Sequence, residues 1–267
     1  MIRSIVVILL LLNSVNFIAQ RTSSSPYSYF GIGDQFSPRT VEQNSMGGIG
    51  VAFSHYKYLN FSNPAAFADL RYTTYAFGLL NSDLTVKSGT TEQNSVSTSL
   101  SYIALAFPVG KNAGLSFGLQ PVSAVGYSLS NTVSVDGAIT EASSYNGNGG
   151  VNRFYGSFGI KVYKGLSLGV EADFSFGDIE NSIINQRTNL SLATKYNEVI
   201  NIRGTSVKFG AQYQKELENK MTLTAGATAK LGNSLNVEGN DYLYSFKFTS
   251  AGSESPRDTI SSTLIDG

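Results

Sequence analysis

The one histidine, His55, follows Ser54, and a serine beside an imidazole is the least that nucleophilic hydrolysis needs. A hydrolase built into a barrel wall would need that histidine on a strand beside a serine. His55 instead lies in a loop-like N-terminal stretch, which points to a structural imidazole bonded to a neighbour. The carboxylates Asp83, Glu171, Asp173, Asp178 and Glu180 are the second set with chemical potential, for a metal or for glycoside cleavage. They are spread along a strand and its rim, and Arg153, Lys161 and Lys208 are available to neutralise them. Bracing and solvating an interior is therefore the expected role, and we read the chain as non-enzymatic, without metal or cofactor. There is no cysteine, so disulfide staples and thiolate sites are excluded. Gly48-Ile49-Gly50 lacks the βαβ context and the last glycine of a dinucleotide fingerprint. Nineteen basic and nineteen acidic residues cancel, which gives no electrostatic reason to expect a nucleic-acid partner.

The elements that position these groups follow from alternation. Along Leu166 to Gly177, Leu166, Leu168, Val170, Ala172, Phe174 and Phe176 form one stripe, and Ser167, Gly169, Glu171, Asp173 and Ser175 form the other. Successive side chains of a strand point to opposite faces, so the two faces want different solvents. The same division recurs as Leu115, Phe117, Leu119, Val125, Tyr127 and Leu129 against Ser116, Gly118, Gln120, Gly126 and Ser128. It recurs again as Leu223, Ala225, Ala227, Ala229 and Leu231 against Thr222, Thr224, Gly226, Thr228 and Lys230. Strands are expected near 72–82, 95–107, 114–130, 151–163, 166–181, 203–217 and 221–237, with another starting near 242–249. Matching the apolar stripes of the fourth and fifth sets Val162 opposite Leu166, Ser157 opposite Glu171 and Tyr155 opposite Asp173, with Arg153 diagonal to Asp173. Arg153, Glu171 and Asp173 then project into a lumen.

Which solvent the apolar stripe meets is argued from the chain's start and its bulk composition. Met1-Ile2-Arg3-Ser4 followed by apolar Ile5 to Leu12 has the form of a secretory signal, too short for a helix crossing a hydrocarbon core of about 30 Å. Cleavage near Ala19-Gln20 would leave residues 21–71 as a non-strand preface, with short helices near Thr40 to Ser45 and Pro64 to Leu70. Residues 72–267 carry the alternation. Gly110-Lys111-Asn112, Tyr163-Lys164-Gly165 and Glu218-Asn219-Lys220 are tight turns, whereas 83–94, 131–150 and 182–202 are long and polar, although 132–145 and 188–200 also suit strand extensions. Short turns on one side and long loops on the other suit an outer-membrane barrel. A soluble β-sandwich also alternates, but the export signal, the long strands and Tyr or Phe near strand ends favour lipid. The expected fold is all-β, an antiparallel transmembrane outer-membrane β-barrel, incomplete here, with a small N-terminal hatch containing short helices. No amphipathic strand with a terminal aromatic closes the sequence, so the N-terminal part of a larger barrel is expected.

The preface holds Met46-Gly47-Gly48-Ile49-Gly50-Val51-Ala52-Phe53 and then Asn63-Pro64-Ala65 before the first strand. This arrangement resembles the FadL family of outer-membrane transporters for long-chain fatty acids and other hydrophobic compounds. The resemblance covers the preface and the first half of the barrel. It implies a larger barrel with the hatch inside it and an apolar small molecule leaving sideways into membrane lipid through a gap in the wall. Gly47, Gly48, Gly50, Asn63, Pro64 and Ala65 would shape the hatch. Pro121, inside the third strand, cannot donate a ladder bond and so should lie at a bulge, an edge or an unpaired stretch. By the resemblance, Pro121, Val122 and Ser123 would make the lateral opening. A second reading of a different class is a structural or secretion-accessory barrel that holds a partner protein. A charged interior favours that second reading, and a continuous apolar pocket favours transport.

Overall fold

The computed structural model describes residues 25–266 apart from 90, 219–220, 233 and 250–252; the expected leader, 1–20, lies outside them. Nine long strands and one short one form a single antiparallel sheet: β1 (Asp34–Gln35), β2 (Thr74–Ser88), β3 (Thr91–Val109), β4 (Ala113–Val135), β5 (Ala138–Tyr163), β6 (Leu166–Arg187), β7 (Ala193–Glu216), β8 (Thr222–Leu231), β9 (Leu235–Phe248) and β10 (Glu254–Asp266). The order is β10-β9-β7-β6-β5-β4-β3-β2, with β8 also on β7 and β1 on β4. β2 and β10 do not pair with each other, so the sheet is antiparallel and open, as expected of an incomplete barrel.

The strands outrun the sequence reading. The polar stretch 83–94 is mostly strand, and 132–145 and residues 193–200 are strand extensions, as their sequences also suited, so the link between β6 and β7 shrinks to residues 188–192. Ladder bonding to a neighbour, rather than side-chain hydrophobicity, extends them, which is why composition concealed it. The expected strand 221–237 is broken: β8 pairs with Val207–Glu216 and β9 with Ala193–Gly204, and Gly232 at φ 75° turns between them. β8 and β9 are thus successive halves of one strand position along β7. The expected β5–β6 register holds from Phe154 opposite Phe174 to Lys161 opposite Ser167; then a bulge pairs Tyr163, not Val162, with Leu166. The resulting turn, Lys164-Gly165, needs the left-handed conformation that Gly165 adopts at φ 79°.

The two faces differ, and the outer one changes along its height. On β5 to β8 the outward residues nearest the short turns are Phe154, Phe158, Ile160, Val162, Leu168, Val170, Phe174, Phe176, Val207, Phe209, Tyr213, Leu223 and Leu231. β2 and β3 add Tyr75, Phe77, Leu79, Ile103, Leu105 and Phe107. Above Phe154 on β5 and Phe176 on β6 the outward residues are mostly polar, Asn152, Asn148, Asn146 and Ser144 on β5 and Asp178, Glu180 and Ser182 on β6. On β7, Thr205 and Arg203 stand opposite Phe174 and Phe176, and Asn201 and Asn197 lie above them; Val199 of β7 and Ile184 of β6 are apolar exceptions. The apolar part of β5, Phe154 to Tyr163, matches the roughly 9–11 residues of a tilted strand crossing a bilayer.

The inner face is covered by residues 25–70. A bulge at Val122 reverses β4: Leu115, Phe117 and Leu119 face outward below it, but Val125 and Tyr127 face inward above it, buried with Val151, Ile179 and Ile202. One residue slips the whole pattern, so counting alternate residues through Pro121 put Val125 and Tyr127 on the wrong face. Tyr127 donates to Asn181 Oδ1 at 2.9 Å, above the apolar band; burial, then Tyr29 and Glu198, push its phenol up to about 12, so it stays a donor.

Candidate functional site

Residues 25–70 are tied down from the sequence upward. Thr40 and Gln43 form a reciprocal capping box on a short helix, α1 (Val41–Ser45). Gly47 and Gly48 end it with positive φ, Gly48 N donating to Gln43 O at 2.7 Å. Gly50 passes close to Ser62, and its carbonyl accepts from Asn60 Nδ2 at 2.7 Å. Asn60, which the sequence reading passed over, is the hub of this loop: its side chain also meets Phe53 O, Gln43, Ser62 N and Asn63 N.

Asn63-Pro64-Ala65 opens a 3-10 turn, Pro64–Asp69. Asn63 caps it by accepting from Ala65 N at 3.0 Å, and Pro64 stands where no amide hydrogen is needed. Asn63 Nδ2 donates to Val51 O at 2.6 Å and to Ala211 O of β7 at 3.1 Å. One buried side chain therefore joins the loop, the turn and the sheet. Asn63→Ala is expected to cost about 2–4 kcal/mol, since it takes the Asn63 partner from the Ala65 amide and the Val51 carbonyl and cuts the tie to Ala211 O of β7. Hydrogen exchange reads it: the Ala65 amide should exchange at least tenfold faster while β5 and β6 keep their protection.

The turn lies in a trough of glycines. Gly114, Gly159, Gly169 and Gly210 are directly opposite one another across β4, β5, β6 and β7. A side chain on any of them would collide with residues 63–67 of the turn. Gly226 of β8 likewise meets the main chain of Val51. The four glycines share one inward register, a signal that becomes visible only when the strands are aligned. A hatch in the sense of an element closing a complete barrel is not seen, because the sheet around residues 25–70 is open.

Beside the trough, Arg153, Glu171 and Asp173 meet on the inner face. Glu171, 1% exposed, lies 2.8 Å from Lys208 and 3.3 Å from Arg153. Asp173 lies 3.7 Å from both Arg153 and Lys230 and accepts from Ser206 Oγ at 2.5 Å. Gln120 Oε1 receives both Nε and Nη2 of Arg153, and Lys208 Nζ donates to Phe61 O at 2.8 Å. Two carboxylates thus hold three cations in a braced network that reaches the N-terminal segment.

A cavity of about 490 Å³ adjoins this network, between residues 32–38 and the sheet, with Phe36, Pro121, Val122, Arg153, Asp173 and Leu235 in its wall. Charged and apolar groups share that wall, so it is no continuous apolar pocket. Pro121, Val122 and Ser123 lie at the β4 bulge, directly above the last rung between β3 and β4, Ile103 opposite Leu119. Above that rung the two strands part. The fork opens level with Phe154, where the outer face turns polar, and β1 pairs across it with Ser123 and Ala124.

His55 stacks on Tyr56 and Tyr58, with ring centroids 4.4 and 4.5 Å apart, and accepts from Lys57 N. Ser54 is turned away to Asp69, which also pairs with Lys161. Among the described residues no cluster of three His, Asp or Glu could hold a metal ion.

Against known proteins, no curated protein and no solved structure matches this chain. The BamG family model matches residues 1–266. That match overturns the resemblance to FadL, and long-chain fatty-acid transport falls with it. Gly-rich and Asn-Pro-Ala turns serve any segment packed closely on a sheet, so they do not identify a transporter. Matched along nearly its whole length, the chain belongs to the BamG family.

Proposed function

We propose that this protein works in outer-membrane protein assembly, as an outer-membrane β-sheet protein that holds a partner protein. The BamG family is associated with such assembly and with protein partners. The observation that carries the reading is the division of the outer face: an apolar band one bilayer high below, and long polar walls of β4 to β7 rising above it. Only the lower half suits lipid. The upper half is far more ordered surface than a membrane anchor requires, and it suits contact with another chain.

The charged inner face supports the same reading. Arg153, Glu171, Asp173 and Lys208 fill the level where a conduit for apolar molecules would have to pass. In lipid, the strands at the two sides of the band are satisfied only by further pairing, which would close the sheet as a barrel.

Depleting the protein tests the function. The amounts of several unrelated outer-membrane barrel proteins should fall at least threefold, and the tagged chain should co-purify from outer membranes with defined assembly proteins. Unchanged amounts of those barrels would refute the assembly role.

A further inference from the structure

We propose that the free edge of β4, from Gly126 to Val135, is a docking site for an extended, uncharged strand of a partner protein, added antiparallel to β4. This deepens the assembly reading and rests on it, by naming where a partner chain is held. Among the described residues β4 pairs with β3 only from Ala113 to Leu119, and above Gly126 nothing pairs with that side of it. The edge is already used once in this manner. β1 sets Asp34 opposite Ala124 and Gln35 opposite Ser123, and Phe36 N donates to Val122 O at 2.9 Å. The chain then leaves the ladder: at Gly126 the amide is met by the Ser28 hydroxyl at 3.1 Å instead of a main-chain carbonyl.

Those bonds fix which groups are free. Main-chain N–H and C=O alternate sides along a strand. Val122 and Gly126 face the fork, so Ser128, Ser130 and Thr132 face it too, while Leu129 and Asn131 bond to β5. Residues 128–135 are exposed. Protected edges normally carry lysine, proline or a bulge that twists them away. The sequence Ala124-Val-Gly-Tyr-Ser-Leu-Ser-Asn-Thr-Val-Ser-Val135 has no charged residue and no proline, so nothing in it repels an incoming strand. Sheet addition takes affinity from the main chain and tolerates varied side chains, which suits clients that differ in sequence.

The free stretch is long enough for a ten-residue partner strand. Gly126 to Val135 spans about 33 Å at roughly 3.3 Å per residue.

Because the chain has no cysteine, a single one reports position cleanly. Purified full-length chain carrying Thr132→Cys, in lipid vesicles, is offered a ten-residue peptide of alternating Thr and Val with one cysteine. A disulfide adduct should form at least tenfold more than with Asn148→Cys, which stands on the exposed outer face of β5. Ser130→Pro removes one fork-facing amide and no β4–β5 bond, so it should abolish the adduct while the strand stays folded. N-methylation of alternate peptide amides should abolish it in one frame and spare it in the other. Equal adducts at both cysteines, or indifference to Ser130→Pro and to both methylation frames, would overturn the proposal. So would a preferred adduct between two copies of this chain. Depletion reads the amounts of other proteins and this assay reads a peptide on the purified chain, so either can fail while the other stands.

Discussion

Replacing Gly169 with valine is expected to lift the turn Pro64–Asp69 off the sheet. Gly169 faces inward on β6, between Gly159 and Gly210, and a Cβ there would sit inside the main chain of Pro64 and Ala65. Overfilling a packed site usually costs about 1–3 kcal/mol, because a side chain can turn aside. Here the obstacle is backbone, held by Asn63 to Ala211 on one side and pressed against Gly159 on the other, so neither partner can yield locally. The loss should reach the top of that range, about 3 kcal/mol, and fall on the turn, since the β6 ladder is indifferent to which side chain it bears. Ala66→Cys, otherwise buried, reports the event: it should react with a membrane-impermeant maleimide only when Gly169→Val is also present. Gly156→Val is the control. Gly156 has no atom near the position its side chain would take, so it should leave the probe shielded. Labelling that is equal in the two backgrounds would show that the trough does not hold the turn.

What the sequence could and could not disclose follows from the same geometry. Alternation was legible wherever a strand kept step, as on β6, where the expected partners of Glu171 and Asp173 are the partners observed. It failed at Val122, because a bulge changes the face of every later residue while leaving no mark on the composition. It also understated the strands, since Ser, Asn and Thr on a water-facing wall look like loop until both neighbours are known. The short helices near Thr40 and Pro64 were legible because the signals that start a helical turn act within three residues. The glycine trough acts across the fold and Asn60 across its own loop, and neither shows a pattern of adjacent residues. The misread family has the same origin. Short glycine and Asn-Pro-Ala turns report that a segment packs closely, which is a property of its backbone and not of its cargo.

The second large effect concerns charge. Glu171→Leu should destabilise the sheet by about 3–5 kcal/mol, the range for removing one partner of a buried ion pair. The carboxylate meets Lys208 at 2.8 Å and Arg153 at 3.3 Å, and without it three cations, Arg153, Lys208 and Lys230, remain around Asp173 alone. Arg153 keeps its two bonds to Gln120, whereas Lys208 keeps only Phe61 O, so the uncompensated charge falls mainly on the lysine. That asymmetry fixes the rescue. Adding Lys208→Met to Glu171→Leu removes the stranded cation and should restore more than half of the loss, while adding Arg153→Met should restore less, because it also orphans Gln120. Urea midpoints of the protein in lipid vesicles measure all three. If the double variant with Lys208→Met were no more stable than Glu171→Leu alone, stranded charge would not be the cause. The loss would then come from packing around a shorter side chain.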